Sequence, residues 1–190
     1  KFGDLDGQGT CDLGSGVALF KGSPFECSFT EFVGGNAGDV HTNKVTAKAL
    51  DNEGDEATGD DSATVNINDV ASTIDLKKVA VPVSVLETGD SDETRSVAYT
   101  FTFSVDANGV DKVTFNDLDD NVFGNLTNLC QVSKKNGVTL VPTEALAGFV
   151  LSPGESASCT ISKDLQGNAG ESHTNTATIS GKDEDDQTVT

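Results

Sequence analysis

Four cysteines, two histidines and a surplus of carboxylates are the residues of this chain whose chemistry is worth asking about. Cys11 and Cys27 fall close together, as do Cys130 and Cys159, and neither spacing resembles a zinc C-x-x-C pattern. Pairing Cys11 with Cys27 and Cys130 with Cys159 gives two disulfides, which persist in an oxidising, extracellular compartment. His41 and His173 stand far from any cysteine in sequence and suggest no ligand knuckle. They recur in the same setting, beside Thr and Asn, and read as packing residues where a loop enters a strand. There is no nucleophile elbow, no phosphate loop and no H-E-x-x-H helix, so no catalytic residues are assigned and the chain is read as a non-enzyme.

The setting of the histidines exposes an internal repeat. "GNAGDVHTN", Gly35 to Asn43, returns as "GNAGESHTN", Gly167 to Asn175. Flanking segments match too: "FGDLDGQGTC" faces "FGNLTNLC", and Cys27 stands opposite Cys159. Glycines flanking Asn-Ala in each phrase can hold positive φ in a loop that leads into the next strand. The repeat divides the chain into 1–70, the C-terminal part of one unit, and 71–190, a second unit. The second stops where the first continues into "GDDSATVNIND", and is therefore expected to lack its last strand, leaving a sheet edge for the following residues or a neighbouring chain to fill.

What must position these residues is a set of short strands. Gly, Thr, Ser, Asp, Asn and Val dominate, with no Trp and one Tyr, which favours strands joined by turns over helices. In "RSVAYTFTFSVDA", Val97, Tyr99, Phe101, Phe103 and Val105 alternate with small or hydroxyl-bearing residues, giving one buried and one wet face. Pro82 marks an edge strand. Counting the alternating runs gives seven or eight strands per unit, which predicts an all-β fold of tandem immunoglobulin-like β-sandwich domains. No run approaches the length of apolar chain that a membrane helix needs, so no membrane insertion of this segment is expected.

The formal net charge is −19, shared almost equally by the residues before and after position 70. Such a surface repels nucleic-acid phosphates and anionic lipid. It suits a protein kept in salt- or calcium-rich water, where self-repulsion is screened.

The order "DLDDNVFGNLTNLC", then "LSPGESASCTI", then "GNAGESHTNTATISGKDEDD", closed in the first copy by "GDDSATVNIND", resembles the tandem Ig-like repeats of large bacterial surface proteins and adhesins. The resemblance implies a structural repeat module of an extracellular surface fibre, stalk or adhesin. Its partners would be neighbouring repeats of the same chain, or identical chains in a fibre. The alternative is a carbohydrate- or protein-binding Ig-like module accompanying an adhesin head or secreted enzyme.

Two finer expectations concern ions and amines. In an Ig-like sandwich, "DANGVD" and "KDEDDQ" share the end by which the chain enters, so Asp106, Asp111, Asp183, Asp185 and Asp186 should gather beside the linker residues Asn68 and Asp69, with Asp39 from the first repeat. Calcium takes six to eight oxygen ligands without strict geometry and is the ion such a junction would hold; no other cofactor is implied. Lys77 or Lys78 could in principle condense with Asn175, which faces inward by parity. That chemistry needs a buried acid, and alternation places none inside, so the sequence argues against it.

Overall fold

The computed structural model describes residues 2–90 and 92–190. It is all-β, 47% strand and without helix among the described residues, as a chain rich in Thr, Ser and Val and poor in helix formers requires. It separates into two units, Lys1–Asp69 and Val70–Thr190.

In the first unit, residues 2–39 are turns and extended chain around one covalent tie, Cys11–Cys27. Thr10 fastens the two sides further: its N–H donates to the Ser28 carbonyl and its hydroxyl accepts the Ser28 N–H, both at 2.8 Å. A long antiparallel hairpin follows, β1 (Val40–Leu50) paired in register with β2 (Glu56–Asn66). Its tip is closed by Asp51, whose Oδ1 accepts the N–H groups of Glu53 and Asp55 at 2.9 Å. Val45 and Val65 alternate as expected, but both are exposed, because among the described residues no second sheet of this unit covers that face.

The second unit is a pair of antiparallel sheets around one core. Its strands are β3 (Ile74–Val81), β4 (Arg95–Val105), β5 (Val113–Asp120), β6 (Gly124–Asn125), β7 (Gln131–Lys135), β8 (Val138–Ala145), β9 (Val150–Leu151), β10 (Ser156–Leu165), β11 (Ala177–Lys182) and β12 (Thr188–Val189). Seven of the ten are five residues or longer; β6, β9 and β12 are two-residue ladders, too short to leave an alternation signal. One sheet runs β3-β4-β10-β7-β8 and the other β12-β11-β5-β6, with β9 also beside β5. Pro82, lacking an N–H to donate, directly follows the edge strand β3.

Strand β4 buries every second residue from Val97 to Val105, as its sequence predicts. Phe103 on β4 meets Phe115 on β5 edge to face at 4.8 Å, and Phe149 packs on Phe103 from the side. Burying each such ring is worth roughly 1.5 to 3 kcal/mol, so this aromatic contact between sheets is a main cohesive element of the unit. The Cys130–Cys159 disulfide lies within one sheet, joining the start of β7 to β10. Strand β12 pairs only with Gly181 and Lys182 of β11. The outer edge of Ala177–Ser180 therefore has no neighbouring strand among the described residues.

One irregularity decides where the polar residues of β5 point. Val113 and Phe115 face the core, and strict alternation would send Asp117 and Asp119 after them. Instead the β5–β11 register shifts between Ser180, opposite Asp117, and Gly181, opposite Phe115. Asn116 is thus an extra residue, a β-bulge, and it turns Leu118 and Asp120 inward. Thr127 braces the bulge: its hydroxyl accepts the Leu118 N–H at 2.9 Å and donates to Asp117 at 2.7 Å. Gly181 makes room for it, since a Cβ there would lie 2.7 Å from the Thr114 carbonyl oxygen and from Val113 Cγ1.

Candidate functional site

The repeated phrase has a local explanation. In each copy the Asn N–H is capped by the acidic residue three positions on: Asn36 N–H to Asp39 at 2.9 Å, Asn168 N–H to Glu171 at 2.8 Å. The exchange of Asp39 for Glu171 between the copies keeps that carboxylate. Only the second glycine of each phrase, Gly38 and Gly170, has positive φ, at 83° and 85°. The first, Gly35 or Gly167, is where the folded-back carboxylate approaches, leaving 2.7 or 3.0 Å for a Cβ. The expectation that both glycines supply positive φ is thus corrected. His41 is half-buried on β1, and His173 is exposed ahead of β11.

The acidic loops of the second unit do meet. Lys112 N–H donates to Glu184 at 3.2 Å, and Asp111 and Asp185 bring carboxylate oxygens within 4.8 Å of one another. The other expected ligands have local work. Asp106 accepts the Asn108 backbone and side-chain N–H groups at 2.6 and 2.9 Å. Asp183, buried, closes the β11–β12 turn by accepting the N–H groups of Asp185 and Gln187. Asp186, at φ 62°, pairs with Lys182 at 3.4 Å. Asp39, Asn68 and Asp69 belong to the first unit, where Asp39 caps its own loop.

The most built arrangement of polar side chains lies elsewhere, inside the second unit. On β3 the alternation sends Ile74, Leu76, Lys78 and Ala80 inward and Lys77 outward. The Lys78 ammonium lies among three rings, 4.9 Å from the centre of Tyr99, 5.5 Å from Phe101 and 5.6 Å from Phe123. It donates a short hydrogen bond to Asp120 Oδ2. The side chain of Asp120 is 0% exposed and that of Lys78 14%. Asn175, just ahead of β11, donates from Nδ2 to both oxygens of Asp120, 3.0 Å to Oδ1 and 2.9 Å to Oδ2. The backbone N–H groups of Val122 and Phe123 reach Oδ1 at 3.0 Å and fix the carboxylate plane.

Burial, the largest single influence, pushes the Asp120 carboxyl up. The Lys78 hydrogen bond, the two backbone N–H groups and Asn175 together outweigh it and hold the group below the ordinary carboxylate range. Burial first and the Asp120 charge second push the Tyr99 hydroxyl up. Beside the three residues opens a cleft of about 510 Å³, whose walls include Lys78, Arg95, Tyr99, His173 and Asn175.

Sequence reasoning brought Lys78 and Asn175 into view but missed Asp120, because the bulge at Asn116 is what aims it inward. The buried acid that alternation could not place is therefore present. A signal did exist: Gly181 interrupts the apolar alternation of β11 opposite the polar run "NDLDD".

No helix among the described residues is long and apolar enough to cross a membrane, which says nothing of β-barrels. Compared with protein families, curated proteins and solved structures, the chain matches none.

Proposed function

We propose that the chain is a structural module of an extracellular bacterial surface fibre, stalk or adhesin, built from Ig-like repeats. The observation that carries this reading is the disulfide-closed, two-sheet second unit, whose loop phrase, down to its capping carboxylate, is repeated in the first. Both cysteine pairs are bonded within their own units, which fits an oxidising compartment. The acidic surface adds solubility and keeps neighbouring stalks apart. A spacer has no need of reactive groups at its surface, and the hydrogen-bonded cluster around Asp120 is largely buried in the second unit. Labelling intact, unpermeabilised source cells with an antibody to the chain should stain their surface, and mild protease treatment should remove the stain. Signal seen only after permeabilisation would overturn the proposal.

A second reading, a binding module, is favoured by one feature. Phe20 and Phe32 of the first unit are strongly exposed, and Phe25 partly so; rings of this kind can stack on sugars or apolar partners. Binding of the purified chain on a glycan array, abolished by Phe20→Ala with Phe32→Ala, would replace the spacer reading by this one.

A further inference from the structure

A buried ion pair is a weak device for stability. Removing two charges from water costs several kcal/mol per ion in practice, and an apolar pair of similar volume often serves as well or better. The arrangement around Asp120 therefore calls for a reason beyond cohesion, and its geometry supplies one. The amine of Lys78 and the carboxamide nitrogen of Asn175 lie against the same atom, Asp120 Oδ2. An amine, a carboxamide and a proton carrier are held together in a pocket walled by aromatic rings.

We infer that Lys78 and Asn175 condense into a side-chain amide within the second unit, with Asp120 as the catalytic proton carrier. The reaction starts along a hydrogen bond that already exists. The ammonium gives a proton to Asp120 Oδ2, leaving a neutral amine and a neutral acid as a minor state of the pair, which burial favours and the hydrogen bonds to the carboxylate oppose. The Nζ lone pair then attacks Asn175 Cγ: a C–N bond forms and the carbonyl π pair moves to oxygen. Asp120 delivers its proton to Nδ2 and takes one back from Nζ. The oxygen electrons re-form the carbonyl, the Cγ–Nδ2 bond breaks, and ammonia leaves with that electron pair.

The balance closes without any other reagent. Ammonium, carboxylate and carboxamide become a secondary amide, a protonated Asp120 and one ammonia. No oxidant, nucleotide or metal takes part, and both buried charges are gone at the end. Holding the reactants in place removes most of the entropic barrier that amide exchange faces in solution. The adjoining cleft, with Lys78 and Asn175 in its wall, gives the ammonia a way out.

The linkage is distinct from the disulfide in what it joins. Cys130–Cys159 ties two neighbouring strands of one sheet. The amide would tie β3, at the edge of that sheet, to the approach to β11 in the other.

The test is the mass of the full 190-residue chain, reduced and denatured. The expected result is a deficit of one ammonia against the sequence mass, together with a tryptic species in which the Lys78 and Asn175 peptides travel as one. Asn-Gly pairs can also lose ammonia by closing to a succinimide, and Asn108-Gly109 and Asn136-Gly137 are such pairs. A deficit that maps to either pair, without the linked species, overturns the inference, as does an undiminished mass. Asp120→Asn and Lys78→Arg should each restore the full mass and separate the two peptides. A linked species that persists in Asp120→Asn removes Asp120 from the reaction. The wild-type mass decides the linkage even if a variant fails to fold.

Discussion

Two carboxylates of the second unit, Asp120 and Glu155, each face a lysine, and their surroundings give them different work. Glu155 stands near the surface, its side chain 25% exposed. The Lys135 hydrogen bond first, then the Ser152 N–H, against a smaller upward push from burial, bring its pKa down to about 2, with Asn136 assisting. A folded pKa below the unfolded one contributes stability above the ordinary glutamate range, and that contribution is lost as pH falls toward about 2. Glu155→Gln should therefore lower unfolding stability at neutral pH by about 1 kcal/mol, a figure already reduced for solvent screening. It should also flatten the acid limb of a stability profile in that window, while a variant that unfolds along the wild-type acid curve would show Glu155 to be idle. Asp120 has no comparable access to water. Its hydrogen bonds point only at groups inside the unit, and that makes it suited to passing protons between them.

At the scale of elements, the two fastenings of the second unit can be tested separately. Replacing Cys130 and Cys159 by Ser removes the covalent tie between β7 and β10 and should cost roughly 3 kcal/mol in the chain-entropy picture. The calorimetric transition of the second unit should move down while that of the first stays in place; a shift of both would mean that they do not unfold independently. Gly181→Ala should cost about 1 to 3 kcal/mol, because its Cβ collides with Thr114 and Val113 where the bulge forms. Unchanged chemical denaturation of that variant would mean that the bulge relaxes freely. The bulge also explains what could be read from the chain and what could not. Strand β4 was legible because five apolar residues alternate without interruption, and β3 because Ile74, Leu76 and Ala80 share the parity of Lys78. The cysteine pairs were legible because each repeat brings its own. In "NDLDD", however, one Leu among four polar residues carries almost no parity signal. Which aspartate turns inward is settled across the sheet, by the register against Gly181 and the brace from Thr127. The junction set of aspartates was argued from loop positions, while hydrogen bonding inside each loop is what fixes where Asp106, Asp183 and Asp186 point.

At the scale of the whole molecule, the two units differ in how their strands are supported. The hairpin of the first is exposed along nearly all of both strands, whereas the second encloses, among the described residues, nineteen buried core residues between two sheets. That enclosure sets how the second unit would respond to being stretched by its ends, Val70 and Thr190. Lys78 stands on its first strand, β3, and Asn175 just ahead of β11, next to last. With the two side chains joined, tension entering at one end crosses through the amide to the other. Everything from Val79 to Thr174, both cysteines of the inner disulfide included, then hangs slack beside the line of force. In a single-molecule pulling experiment the second unit should yield only the short stretches outside the link, while Lys78→Arg with the disulfide reduced should pay out the intervening chain at about 3.3 to 3.6 Å per residue. A wild-type unit that, with its disulfide likewise reduced, lengthens as much as the variant would show the strands to be joined by hydrogen bonds alone. If the link holds, the core can be drawn taut repeatedly without unravelling, and recoil needs no refolding.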